Sequence, residues 1–242
     1  MTSNDPIAAL AHLRSSTSAL GLGLEAERWT DDDVRQPSLL PGWSRGHVLT
    51  HIARNADSIS RTISGALRGE MVDRYPDGPE GRNADIEAGA SRHVTELMAD
   101  VRDSADRLDR LFAAVADADG WDLETPERPV GRYTWTRWRE LEVHRVDLAG
   151  QYGASDWPAA FVSYLVPTLI EKLAARVEQP LRIQVIEEGS ITTDLPGSEW
   201  IFGDDEPTVV RGPDWAVAGW LTGRPEPVSD VLSAVPALGP WI

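Results

Sequence analysis

The chain has 242 residues, is 41% apolar and carries a formal net charge of −16, so it has length for one large domain or two modest ones with a sizeable core. The acidic balance argues against nucleic acid as a partner, because phosphates need a basic surface, and no run approaches the ~18 apolar residues of a membrane span. There is no cysteine, which removes disulfides, thiolate metal sites and cysteine nucleophiles together.

The N-terminal residues lack a basic stretch followed by an apolar run, so a cytoplasmic protein is the expectation. Residues 6–27 place Ile7, Leu10, Leu13, Leu20 and Leu24 at helical spacing, with Gly21 and Gly23 weakening the helix toward its end. A loop containing Pro37, Pro41 and Trp43 follows. Ser44 then reads as the N-cap of a helix over about 45–69, whose buried stripe is Val48, Leu49, Ile52, Ala56 and Ile59. Residues 70–83 are rich in proline, glycine and charge and read as a loop. One long helix is predicted over 84–118, carrying Leu97, Val101, Leu108, Leu111 and Phe112, and 119–133 reads as irregular.

The fourth helix, TWTRWRELEVHRVDLAGQ, turns Trp138, Leu141, Val143 and Leu148 inward and groups Glu140, His144 and Asp147 on another face. Four amphipathic helices with two long connections predict a four-helix bundle over residues 1–152. Beyond it, residues 153–242 read as a small α+β domain: a helix over PAAFVSYLVPTLIEKLAARV with a kink at Pro167, a strand at LRIQVIEE, short strands near 191–194, 199–202 and 207–211, and a helix around 213–222. The fold class is α+β overall.

The candidate chemistry lies in the bundle. Glu140 and His144 are four residues apart and share a helix face. On the second helix His47, His51 and Asn55 repeat at the same spacing, and spacing alone leaves His47 and His51 equivalent. One imidazole from there, with the Glu–His pair, makes a two-histidine, one-carboxylate set suited to a catalytic divalent metal such as Zn²⁺. Asp147, one turn beyond His144, reads as an outer partner of the ligands or merely as a capping acid, and Asn55, one turn beyond His51, has a similar reading. His12 and His93 read as ordinary surface or core residues. There is no HExxH, GxSxG or phosphate-binding loop, and the ten tryptophans read as packing.

GWSRGHVLTHIARNAD, GPEGRNADIE and WRELEVHRVDLAG, followed by WLTGRPEP and a terminal PWI, resemble the mycothiol-dependent maleylpyruvate isomerase family over nearly the whole chain. The resemblance implies a DinB-like four-helix bundle that binds a divalent metal, followed by a sterol-carrier-like α+β domain. It implies His51, Glu140 and His144 as metal ligands and Arg82 and Arg224 as catalytic residues. It also implies Zn²⁺ as the metal and mycothiol as thiol cosubstrate, in the conversion of maleylpyruvate to fumarylpyruvate in gentisate-type aromatic degradation. The partners it implies are a small dicarboxylate and mycothiol, with neither nucleic acid nor membrane, on a monomer or small homo-oligomer. Two other readings stand beside it: a mycothiol S-transferase acting on another electrophile, and a non-catalytic metal-binding protein of the same fold.

Overall fold

The first helix, α1 (Pro6–Glu27), starts at Asp5, whose carboxylate accepts the Ile7 N–H at 2.9 Å, with proline at the first helical position. Gly21 and Gly23 do not interrupt it; it ends at Arg28 in the left-handed region. A computed structural model describes residues 5–192 and 194–224, together with 236 and 238. The short α2 (Asp31–Arg35), which the sequence reading leaves as loop, forms on a capping box between Thr30 and Asp33. The expected cap Ser44 opens α3 (Arg45–Leu67), accepting the His47 N–H.

The single helix expected over 84–118 is two helices, α4 (Gly78–Ala90) and α5 (Val94–Asp117). Two physical facts account for the difference. Pro79 sits in the first turn of α4, where its missing N–H has no intrahelical partner to lose, so it starts a helix instead of prolonging a loop. At the break, Asp31 of α2 accepts the Val94 N–H at 2.8 Å and meets His93 Nδ1 at 2.6 Å, so a carboxylate from another element caps α5. The last bundle helix is α6 (Arg132–Asp147).

The chain divides into two units, residues 1–151 and 152–242. In the first, α3 packs on α5 and α6, α1 packs on α6 and α5, and α4 lies along α3. The core is aliphatic, with Leu49, Ile52, Ile59, Ile63, Leu97 and Phe112 at most 1% exposed. Gly46 is where α3 passes under the end of α4: a Cβ there would collide with the Ala90 carbonyl. Neither face of α6 is solvated, since Trp138, Leu141 and Val143 are buried and so are Arg137, His144 and Asp147. Its polar face is therefore interior, where unpartnered polar groups are costly.

In the second unit, α7 (Ala159–Leu173) contains Pro167 and buries Phe161, Val162, Leu165 and Leu169. The sheet is β1 (Leu181–Val185), β2 (Glu199–Phe202) and β3 (Thr208–Gly212) in the order β2-β1-β3, with β1 antiparallel to β2 and parallel to β3. α8 (Asp214–Leu221) follows. The strand expected near 191–194 does not form among the described residues. The backbone N–H groups of Ile191 and Thr192 donate to the buried Asp214 carboxylate at 2.9 and 2.7 Å instead of to a neighbouring strand. A helix-rich bundle with a small mixed sheet matches the expected α+β class. The terminal PWI lies outside the described residues, and WLTGRPEP is described only to Arg224. No helix among the described residues is long and apolar enough to cross a membrane.

Candidate metal centre

The expected Glu140–His144 pair is presented by α6 toward the middle of α3, and His51 meets it there. His51 Nε2 lies 3.2 Å from Glu140 Oε2 and 3.1 Å from His144 Nε2, and His144 Nε2 is 3.5 Å from the same carboxylate oxygen. Both imidazoles are buried and the Glu140 side chain is 14% exposed, so the cluster is nearly dry with its carboxylate at the edge. Among the described residues it is the group of histidines and acids whose ligand atoms converge closely enough to hold an ion.

His47 is elsewhere. Its Nδ1 accepts the Ser44 N–H at 3.1 Å and its Nε2 faces Glu87 at 3.1 Å, so this ring belongs to the start of α3 and to α4. Spacing made the two histidines equivalent; the rotation of α3 against α6 separates them. His12 stacks on Trp138 with centroids 4.7 Å apart, and His93 occupies the N-cap position of α5 with its ring on Asp31.

The carboxylate of Asp147, fully buried, accepts from His144 Nδ1 at 2.8 Å. That bond fixes a proton on Nδ1 and directs Nε2 at His51 and Glu140, so that a metal displacing the Nε2 proton would meet its lone pair, as a ligating histidine requires. The end of α6 is itself held in place. Arg45 donates through Nε to the Leu148 carbonyl at 2.8 Å and through Nη2 to that of Ala149 at 2.7 Å, and the Leu39 N–H donates to the Asp147 carbonyl. Asn55 does not reach the cluster; its Oδ1 accepts from Arg137 at 2.9 Å.

Electrostatics follow from burial and pairing. Burial lowers His51 to about 4, outweighing its hydrogen bond to Glu140. Burial acts the same way on His144, but the hydrogen bonds of Asp147 and Glu140 win and raise it above its ordinary value. Burial raises Glu140, yet hydrogen bonds from both imidazoles hold it well below the usual carboxylate range. A neutral imidazole, a second imidazole oriented by a carboxylate, and an ionised carboxylate are a donor set that fits a borderline divalent cation such as Zn²⁺.

Arg82 stands beside the cluster, though not in the loop expected for it: it lies on the first turns of α4. Its Nη2 is 3.2 Å from His51 Nδ1, its Nη1 donates to Asn83 Oδ1 at 3.0 Å, and its guanidinium lies 6.0 Å from the Tyr75 ring centroid. Trp43, in the loop before α3, lies 5.7 Å from the His51 ring and 6.0 Å from that of His47 and adds an aromatic wall that local spacing does not reveal. Its signal was its place just before the helix cap. Arg224 follows α8 in the second unit, where its N–H donates to the Gly219 carbonyl at 2.7 Å and its guanidinium to that of Thr222.

Residues 13–149 match the family model described as the mycothiol maleylpyruvate isomerase N-terminal domain. The fold is similar to the crystal structure of a mycothiol-dependent maleylpyruvate isomerase, with a TM-score of 0.82 at 24% identity over 100% of both chains. A histidine-to-alanine mutant of the mycothiol-dependent enzyme gives the same values. No curated protein matches the chain.

Proposed function

Because the chain belongs to the mycothiol maleylpyruvate isomerase family, we propose that it is a zinc- and mycothiol-dependent cis–trans isomerase converting maleylpyruvate to fumarylpyruvate. The observation that carries the reading is the convergence of His51, Glu140 and His144 within 3.5 Å beside the Arg82 guanidinium. His51, Glu140 and His144 would hold the metal, and a divalent zinc ion there supplies the acidity that keeps a bound thiol ionised at neutral pH.

The chain has no cysteine, so the thiol comes from solution. Addition of the mycothiol sulfur to the conjugated double bond turns it into a single bond, and the displaced electron pair moves to the ketone oxygen. Rotation and expulsion of the sulfur return the double bond in the trans form, with the thiol regenerated and no net redox change. Arg82 is half-buried and can take a substrate carboxylate or the enolate charge by paired N–H donors, which are strongest where water is scarce. Asp147 keeps His144 in its ligating tautomer, and Trp43 helps exclude solvent from the His51 edge. Arg224 is assigned the second carboxylate on the family resemblance alone.

Loss of maleylpyruvate absorbance tests the reading. It should require both mycothiol and metal, and Arg82→Ala should retain metal while losing turnover by ~10²-fold or more. Reaction of mycothiol with a generic electrophile but not with maleylpyruvate would instead identify an S-transferase. Purified protein that binds no zinc and leaves thiol reactivity unchanged would identify a non-catalytic protein.

A further inference from the structure

A cavity of about 310 Å³ opens between α1 and α5, and none of His51, Arg82, Glu140 or His144 lines it. Leu13 on α1 and Leu108 and Phe112 on α5 form an apolar wall, and Arg14 pairs with Asp109 at 2.6 Å beside it, with Asp106 also exposed there. The residue that α6 contributes to the lining is Arg137, which is 1% exposed.

Arg137 is incompletely paired for so buried a charge. Its Nη1 donates to the Ile52 carbonyl at 2.8 Å and to Asn55 Oδ1 at 2.9 Å, both neutral acceptors, while its Nη2 is buried without a hydrogen-bond partner. Burial lowers the guanidinium to about 10, against the opposing charges of Glu140 and Asp57. An unsatisfied buried donor is expensive. A carboxylate would satisfy it, and the volume and apolar wall suit a small organic body more than a bare ion.

We propose that the α1/α5 cavity is a binding site for a small carboxylate with an apolar body, its carboxylate on Arg137 Nη2 and its body against Leu13, Leu108 and Phe112. Asn55 and Ile52 hold the guanidinium in place through Nη1, leaving Nη2 for the ligand. The Arg14–Asp109 pair neutralises one of the acids at the mouth that would otherwise repel an anion.

The test is calorimetric titration of benzoate and hexanoate, with benzamide and hexanamide as neutral counterparts. It uses chelator-treated full-length protein carrying Arg82→Ala, so that the metal centre contributes no carboxylate site. Saturable binding of an acid but not of its amide is expected. Arg137→Met should weaken it about tenfold or more, the scale of one charged hydrogen bond. Ala105→Trp, which fills the cavity and leaves Arg137 in place, should abolish it and decides the matter where Arg137→Met fails to fold. Absence of binding, equal binding of the amides, or binding that survives Ala105→Trp would each overturn the proposal.

Discussion

The Nε2 atoms of His51 and His144 face each other at 3.1 Å between α3 and α6. One protonated Nε2 can donate to the lone pair of the other, and a divalent cation that replaces the shared proton would take both lone pairs. Protein prepared with zinc is therefore expected to carry one equivalent. The content should fall to background in His51→Ala and His144→Ala and be retained in His47→Ala, whose ring faces Glu87. Elemental analysis of the purified variants checks this.

Zinc should also stabilise the fold, because the ligands come from two separate helices and the ion binds only where both are in place. At a free metal concentration one hundred times the dissociation constant the gain is about 2.7 kcal/mol. Thermal denaturation with and without chelator reads it. An unchanged midpoint would mean that α3 and α6 do not share an ion.

The pH dependence of metal affinity follows from His144. Its value is raised by Asp147 and Glu140 against the effect of burial, and a proton on this ring competes with metal. Affinity should be full above that raised value and decline as pH falls through it, beginning above the 6.5 of an ordinary histidine. His51, lowered to about 4, stays neutral across that range and adds no step. Asp147→Asn removes one cause of the elevation, so the decline should move to lower pH while plateau affinity drops about 10–100-fold. Competitive titration with a zinc indicator between neutral and mildly acidic pH shows both effects.

Gly46→Ala tests how α3 is positioned. Helix propensity alone favours alanine by about 1 kcal/mol, but the new Cβ would strike the Ala90 carbonyl, which is backbone and cannot rotate away. The collision should prevail, with a net loss of about 1–3 kcal/mol read from urea denaturation. A stabilised variant would show that α4 is free to shift.

Some of this was legible from local chemistry. Ser44 announces α3 because a side-chain oxygen beside an unpaired helix N–H acts over a few bonds, and the four-residue spacing of Glu140 and His144 places them together on any helix. Other local signals were ambiguous. Pro79 is equally at home in a loop or in a helix's first turn, which moved Arg82 from an expected loop onto α4. The break before α5 depends on Asp31, 63 residues away from the Val94 N–H it accepts, and the missing strand near 191–194 depends on Asp214. No window of sequence contains both members of either pair.

The sequence by itself determined the helical periods, the caps, the absence of an internal thiol and the residue types able to ligate a metal, because these depend on bonded neighbours and on composition. Spacing left His47 and His51 equivalent and the family resemblance favoured His51; the tertiary structure shows why His51 meets Glu140 and His144, and it alone decided that Asp147 orients His144 and that Arg137 lies buried with an unsatisfied nitrogen. The reason is geometric. Residues one helical turn apart are alike to local rules, and only the rotation of one packed helix against another determines which of them is enclosed.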